Sequence, residues 1–211
     1  MNIFNCKILF NGPRNSNKIA ITFDDGPHRK FTSMILDLLA EKQTHATFFA
    51  TGKSIVNNKE LAEEIASRGH LLGNHTYNHV SALSTNRERL RDEIVRTREV
   101  IEDISGKPNH YLRPPFGHIS PALLSICRET ELSLVLWSLN SKDHHGKPAP
   151  WIVNRIKKRI KSGAVLLFHE GHFSDRTRDY SPTITALAEV LEDIMLKGLT
   201  PVTIAEFFEA L

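Results

Sequence analysis

Short apolar segments alternate with amphipathic segments along almost the whole chain. The apolar segments include KIAITF (18–23), ATFFAT (46–51), LSLVLWSL (132–139) and AVLLFH (164–169). The segments between them, such as FTSMILDLLAEK (31–42), place apolar residues three or four positions apart. Apolar runs of this length are typical of buried strands, and the longer spacing is typical of helices with one buried face. Seven or eight such alternations predict a parallel sheet covered by helices, either an open doubly wound sheet or a closed barrel.

The length and composition of the chain are those of one globular domain. Its 211 residues suit a single domain, and no linker or low-complexity tract interrupts them. Hydrophobic residues make up 40% of the chain and charged residues 24%, an ordinary composition for a protein with a buried core. Cys6 and Cys127 lack the spacing of a metal or redox pair and are predicted to be free thiols. We therefore expect one domain over residues 1–211.

Charge and hydropathy restrict the partners and the location. A net charge of +3 is weak evidence for nucleic-acid binding, so no nucleic-acid partner is expected. No segment has the roughly 18 consecutive apolar residues of a membrane-spanning helix, so none is predicted. Asn5 and Lys7 interrupt the first apolar stretch, so no signal peptide is predicted either. A cytoplasmic location is expected for the chain as given, and an extracellular or cell-wall location if an export signal has been removed.

Polar side chains stand where four of the predicted strands end. They are Asp24 and Asp25, His75 and His79, Arg113, and His169. In folds built from parallel strands and helices, functional groups gather at the carboxyl ends of the strands. One polar strand end is common, but four on one rim are unlikely to arise by chance. We therefore expect these side chains to form one site.

Two of these strand ends together suggest a metal site. Adjacent carboxylates such as Asp24 and Asp25 repel each other unless a positive charge lies nearby. The segment HTYNH (75–79) spaces two imidazoles four residues apart, and in a helical turn both would reach one side, about 6 Å apart. One aspartate and two histidines form a three-ligand site with open positions, as in catalytic zinc sites. Zinc is the expected ion, although cobalt, nickel or iron would suit the same ligands.

Each of these patterns also has a simpler interpretation. The sequence Asp-Asp-Gly-Pro is typical of a turn with no further role. Two histidines four residues apart are, without other evidence, more often not metal ligands than ligands. Both simpler interpretations stay open at the level of the single motif.

Four motifs taken together resemble those of one known family. TFDDGP (22–27), HTYNH (75–79), RPPFG (113–117) and LLFH (166–169) are similar, in order and separation, to motifs of the polysaccharide deacetylase family. This family is also called carbohydrate esterase family 4, or the NodB homology domain. The resemblance extends over about residues 18–208. It implies an α/β fold, specifically a distorted (β/α)7–8 barrel, and metal-dependent hydrolysis of N-acetyl groups on sugar oligomers or polymers.

The resemblance also implies a role for each matching residue. By its place in TFDDGP, Asp24 resembles the catalytic base and Asp25 a metal ligand. His75 and His79 match the two histidine ligands. Arg113 resembles the arginine that holds the base in place.

The remaining implied roles concern the acid and the substrate. His169 resembles the general acid, and Leu167 resembles the apolar residue that lines the acetyl pocket. Phe116 occupies a position where the family commonly has tyrosine, and a backbone N–H near it is implied to bind the oxyanion.

One family motif is only partly present. The family often has a W-x-x-D-x-x-D-W pattern, and this chain has WSLNSKDH. Trp137, a substrate-contact candidate, and Asp143 are retained, whereas Asn140 replaces the first acid and His144 stands where the second tryptophan would be. Asp143 is expected to pair with His169 and to raise its pKa.

Three functions follow as hypotheses. The first is a metal-dependent hydrolase of a non-peptide carbon–nitrogen bond, which removes N-acetyl groups from N-acetylglucosamine units in chitin-like material or peptidoglycan. The second keeps the chemistry but changes the acylated substrate to acetylxylan, a formamido sugar-lipid or a small cyclic amide. The third is an inactive barrel that only binds carbohydrate, and it is disfavoured because every catalytic group is present. The expected partner in each case is a carbohydrate or another acylated small molecule.

Overall fold

A computed structural model describes residues 2–3, 6–175 and 177–208 of the chain. The strands are β1 (Asn2–Ile3), β2 (Cys6–Leu9), β3 (Lys18–Asp24), β4 (Thr47–Ala50), β5 (Leu71–Asn74), β6 (Tyr111–Leu112), β7 (Ser133–Val135), β8 (Leu139–Asn140), β9 (Val165–His169) and β10 (Thr200–Val202). The α-helices are α1 (Phe31–Glu41), α2 (Gly52–Asn57), α3 (Lys59–Ser67), α4 (Arg87–Ser105), α5 (Pro121–Glu129), α6 (Ala149–Lys157), α7 (Ser181–Leu196) and α8 (Ile204–Phe208).

The strands form one sheet whose order is β1-β2-β7-β6-β5-β4-β3-β9-β8. Strand β10 pairs with the first half of β3, and all pairings are parallel except that of β1 with β2. Within the described residues no ladder joins β8 to β2 or β7, so the barrel is incomplete. The predicted α/β fold, a distorted (β/α)7–8 barrel, is confirmed.

The two faces of β3 explain how the core and the site are separated. Successive side chains of a strand point to opposite faces. Ile19, Ile21 and Phe23 point to the helices, and Phe23 stacks on the ring of Phe48 with centroids 5.0 Å apart. Thr22 and Asp24 alternate with them and therefore point into the barrel. The inward face carries the polar groups, because the outward face is fully occupied by apolar packing.

The prediction of one continuous strand over residues 132–139 is wrong. The structure divides it into β7 and β8, with three residues between them. The Leu136 N–H donates to the Leu9 carbonyl at 2.7 Å, whereas the Ser138 N–H donates to the Val165 carbonyl at 3.0 Å. The segment therefore crosses from one edge of the sheet to the other, across the opening of the barrel.

The structure also shows how two helices are capped, the state of the cysteines and the hydropathy of the helices. The Ser120 hydroxyl accepts a hydrogen bond from the Leu123 N–H and caps α5. Gly106 has the left-handed conformation, with φ of 64°, at the end of α4. Cys6 and Cys127 are buried free thiols. Among the described residues there is no helix long and apolar enough to cross a bilayer.

Candidate active site

The predicted site residues meet at the carboxyl ends of the parallel strands. Asp24 ends β3 and His169 ends β9, and these two residues are direct partners in the parallel ladder. His75 follows β5 and Arg113 follows β6, on neighbouring strands. The Nε2 atom of His75 lies 3.8 Å from Oδ2 of Asp24. One rim of the sheet thus holds the whole set, as strand ends in a parallel sheet should.

Asp25, His75 and His79 form a compact set of potential metal ligands. All three are buried, and their ligand atoms lie within 4.8 Å of one another. Oδ1 of Asp25 lies 3.1 Å from Nε2 of His79 and 3.5 Å from Nε2 of His75. This oxygen has no hydrogen-bond partner in the described part of the chain. A buried carboxylate oxygen that is unpaired and faces two imidazoles is the arrangement that a cation would complete.

The protonation states suit a metal as well. Nδ1–H of His75 donates to the Arg113 carbonyl at 2.7 Å, which leaves Nε2 as the atom facing Asp25. Burial lowers the pKa of His79, although the Asp25 carboxylate opposes this, so its ring is neutral at pH 7. Burial opposes ionisation of Asp25, but His75 and His79 hold its pKa well below its usual range. The donor set of one carboxylate and two imidazoles therefore fits a divalent ion such as zinc.

The segment HTYNH is a loop, and the helical turn considered for it is wrong. Thr76 has φ of 60° and His79 has φ of 58°, which no α-helix allows. The Asn78 N–H donates to Oε2 of Glu93 at 2.6 Å, so the loop is held by helix α4 rather than by its own backbone. The rings of His75 and His79 nevertheless meet, with centroids 5.0 Å apart.

Among the described residues, four of the eight non-glycine positions with positive φ lie at this site. Asp25 and Phe116 have φ of 79° and 62°, in addition to the two positive values in the histidine loop. Residues other than glycine avoid this region, and the strain persists only where the surroundings enforce it. At Asp25 the positive φ breaks the alternation of β3, so its carboxylate reaches the same site as that of Asp24.

Arg113 is fully buried, at 0% exposure, and holds Asp24 in place. Its Nη1 donates to Oδ1 of Asp24 and to Oγ1 of Thr22, both at 2.7 Å. The guanidinium also donates to the carbonyls of Val135 and Leu136 and lies 4.1 Å from the Phe49 ring. A buried ion pair with its remaining donors satisfied fixes both partners in one geometry.

His169 is paired with the buried carboxylate of Asp143. Its Nδ1–H donates to Oδ1 of Asp143 at 2.8 Å, and its backbone N–H donates to Oδ2 at 2.8 Å. Burial alone would lower the pKa of His169, but Asp143 outweighs this, and with smaller contributions from Asp25 and Asp24 the pKa rises to about 9. His169 is therefore a cation at neutral pH and can donate a proton.

Asp143, His144 and His169 are also close enough together to be considered as metal ligands. Both oxygens of Asp143 already accept hydrogen bonds. The donors are the hydroxyls of Ser141 and Thr183, the backbone N–H and Nδ1–H of His169, and the backbone N–H of His144. Such a saturated carboxylate is a poor metal ligand, so this second set is better explained as support for His169. The ring of His144 lies 4.6 Å from that of His169, and burial lowers its pKa to about 4.

The predicted substrate residues lie around the same rim. Leu167 is buried in β9, two residues before His169 and hence on the same face. Trp137 is half-buried and packs against Gly117, where a Cβ would come within 2.9 Å of its ring. Phe116 is 54% exposed, and its ring lies edge-on to that of His79 at 4.8 Å. Asn140 uses its side-chain oxygen locally, to accept from the Lys142 N–H.

Sequence reasoning missed two residues of the site. Phe173 stacks on the His79 ring at 4.1 Å and is 46% exposed. Its signal was a single aromatic in a polar loop shortly after His169. Glu170 is fully buried beneath Gly26, and the signal there was an acid directly after the histidine of the last motif.

The sequence model of the polysaccharide deacetylase family matches residues 11–135. The chain belongs to this family. Two relatives from Bacillus cereus are peptidoglycan-N-acetylglucosamine deacetylases. The first is 32% identical over 95% of this chain and 71% of its own length, and the second is 36% identical over 92% of this chain and 89% of its own length. It is an enzyme of the deacetylase class.

Solved structures agree with this assignment. A peptidoglycan N-acetylglucosamine deacetylase in complex with a benzamide ligand superposes with a TM-score of 0.91 at 32% identity, over 97% of this chain and 94% of that one. A family 4 carbohydrate esterase from Streptomyces lividans, in complex with acetate, has a TM-score of 0.79 at 26% identity, over 88% and 92% of the two chains.

Proposed function

We propose that this protein hydrolyses N-acetyl groups on N-acetylglucosamine units of peptidoglycan or a chitin-like glycan. The observation that carries the proposal is the placement of a fixed carboxylate, Asp24, and a protonated imidazole, His169, on paired strand ends beside one set of metal ligands. Amide hydrolysis needs a base to deprotonate water and an acid to protonate the leaving nitrogen. The two groups match these needs.

Asp25, His75 and His79 would hold the ion, with zinc as the proposed identity. When bound, a divalent ion at such a site acts as a Lewis acid toward the acetyl carbonyl and makes water more acidic. Asp24, held by Arg113, accepts the proton of the attacking water. The water oxygen forms a bond to the acetyl carbon, and a backbone N–H near Phe116 stabilises the oxyanion.

His169 completes the reaction by donating its proton to the amide nitrogen as the carbon–nitrogen bond breaks. Acetate and a free amine on the sugar are the products. Asp143 keeps the imidazole oriented and charged. Leu167, Phe116 and Trp137 are proposed to contact the acetyl group and its sugar.

The relatives support peptidoglycan as the substrate. In addition to the two Bacillus cereus enzymes, a Bacillus subtilis relative is a peptidoglycan-N-acetylmuramic acid deacetylase, 29% identical over 92% of this chain and 39% of its own length. If the substrate is cell-wall material, the proposed location is extracellular or in the cell wall. If it is a small acylated molecule, the proposed location is the cytoplasm.

Acetylxylan is the second candidate substrate. It is favoured by a bifunctional xylanase/xylan deacetylase from Cellvibrio japonicus, which is 28% identical over 90% of this chain and 27% of its own. Asn140 and His144 depart from the family pattern. The ring of His144 lies 4.6 Å from that of His169, so this departure adjoins the proposed acid and is compatible with a different substrate.

Acetate release tests the proposal directly. The purified protein is incubated with N-acetylglucosamine oligomers, peptidoglycan fragments and acetylxylan, before and after chelation and after zinc is added back. Chelator-sensitive release from the first two substrates is expected. Release from acetylxylan alone would support the second candidate, and glycan binding with no release from any substrate would indicate an inactive barrel.

A further inference from the structure

A cavity of about 580 Å³ lies beside the metal ligands, apart from the acid His169. Its walls come from the loop after β3, from helix α2, from the histidine loop and from the loop after β9. Asp25 and His79 line it, so a molecule in the cavity would adjoin the reaction centre. Its volume is in the range of pockets that hold ligands of about the size of a sugar residue with a substituent.

The charges that line this cavity are strongly unequal. Arg29 and Lys53 line it, and among the described lining residues Asp25 is the one that is acidic. Within the described residues, no carboxylate oxygen lies within 4.0 Å of the side-chain nitrogens of Arg29 or Lys53. By contrast, Lys42 and Arg68 on the outer surface each contact two carboxylates. Since Asp25 belongs to the proposed metal site, the described part of the chain supplies no further carboxylate to balance the two cations in this cavity.

Both cations are attached to the framework that holds the metal ligands. The Lys53 N–H donates to the Tyr77 carbonyl at 3.0 Å, which ties helix α2 to the histidine loop. Nε of Arg29 donates to Oδ1 of Asn58 at 3.3 Å, and the Asn58 amide donates to the Pro27 carbonyl at 3.0 Å. The backbone positions of the two charges are therefore defined relative to the site.

We propose that this cavity binds a carboxylate carried by the glycan, on the sugar next to the one whose acetamido group reacts. Cations without a counter-charge on a concave surface attract anions, and the planar guanidinium of an arginine can donate two parallel hydrogen bonds to a carboxylate. The inference rests on the proposed function and narrows it, because it favours glycans with acidic substituents over neutral ones such as chitin. The lactyl carboxylate of muramic acid in peptidoglycan is a group of this kind.

A matched pair of substrates isolates this contribution. The zinc-loaded protein is assayed with an N-acetylglucosamine–N-acetylmuramic acid disaccharide and with the methyl ester of the same disaccharide. The expected kcat/KM is about tenfold higher for the acid, mainly through KM, and this preference decreases with added salt because exposed charges are screened. In the double variant Arg29→Gln with Lys53→Gln, the ratio of acid to ester is expected to fall close to one.

Lys107→Gln serves as the control. Lys107 is exposed on the loop before β6, at the other end of the strands, so this variant should retain the wild-type ratio. Thermal unfolding of each variant checks that it is folded, and Lys53→Gln alone leaves the Arg29–Asn58 contact intact. Equal rates for acid and ester in the wild type, or an unchanged ratio in the double variant, would overturn the inference alone. Failure to release acetate from either substrate would overturn the proposed function instead.

Discussion

At the scale of single residues, Asp24 and Asp25 are neighbours with different partners. The carboxylate of Asp24 receives a hydrogen bond from the fully buried guanidinium of Arg113. The carboxylate of Asp25 faces the imidazoles of His75 and His79 instead. Because Asp24 is paired with a guanidinium and Asp25 faces two imidazoles, the two neighbouring carboxylates can have different roles.

Substitution of each acid should separate these roles. Asp24→Asn is expected to keep the bound metal but to lower kcat by about 10²–10⁴, the usual contribution of a general base. Asp25→Asn is expected to lose the metal, because it removes the charged ligand from a three-ligand site. Metal analysis and acetate release on the purified variants measure the two effects.

Asp103→Asn is a suitable control for both variants, since Asp103 is exposed on the outside of helix α4. It should change neither metal content nor kcat. Equal metal content in the Asp24 and Asp25 variants would contradict the assignment of roles.

At the scale of elements, the sequence predicts regular packing well and local exceptions poorly. Strands β3 and β9 were predictable because both have continuous apolar runs buried on two faces. Helix α2 was missed because its six residues are too few to show a helical period. The division between β7 and β8 was not predictable either, because it depends on hydrogen bonds to strands more than 25 residues away, at opposite edges of the sheet.

The histidine loop has the same kind of distant cause. Its conformation depends on Glu93, 15 residues away on helix α4, whose carboxylate accepts from the backbone and the side chain of Asn78 at 2.6 and 2.8 Å. A sequence pattern of two histidines shows their spacing but not the element that holds them. The proximity of Asp25, His75 and His79 could therefore be predicted, whereas the loop that holds the two histidines could not.

Removal of this support should weaken metal binding without touching a ligand. Glu93→Ala removes both hydrogen bonds to Asn78, the residue before His79, so the loop is less restricted before the ion binds. Partners of metal ligands typically change affinity by 10–100-fold, and a rise in the metal dissociation constant of about tenfold is expected. Competition with a chromogenic chelator measures it. Glu99→Ala, on the exposed side of the same helix, should leave the dissociation constant unchanged, and an equal effect of the two substitutions would contradict the role of Glu93.

At the scale of the whole molecule, the barrel brings together polar groups that are far apart in sequence and excludes water from several of them. The convergence of strand ends was predictable from topology, and the proposed metal ligands, Asp24, Arg113 and His169 all lie there. Glu170 was not predicted as part of this group. Its burial depends on Gly26, whose missing side chain leaves space for it: a Cβ there would come within 1.9 Å of Oε1.

Glu170 links the stability of the whole fold to pH. Oε2 accepts from the Thr32 hydroxyl at 2.5 Å, whereas Oε1 has no partner in the described part of the chain. Burial raises the pKa of Glu170 to about 8; Thr32 opposes the shift, and Asp25 and Asp24 add to it. In an unfolded chain the pKa of a glutamate is about 4.3. Between these values the folded state keeps a proton that the unfolded state releases, so the free energy of unfolding falls as pH rises.

Glu170→Gln should remove this part of the pH dependence, because glutamine keeps the shape and stays neutral. At about 1.4 kcal/mol for each unit of pKa difference, the wild type should lose several kcal/mol of stability relative to the variant between pH 5 and pH 9. Chemical denaturation of the metal-free proteins at pH 5, 7 and 9 measures the difference. Glu189→Gln, at an exposed position of helix α7, should give a difference that does not vary with pH. If the wild type and Glu170→Gln lose stability in parallel over this range, Glu170 is already ionised in the folded protein and the neutral buried acid is ruled out.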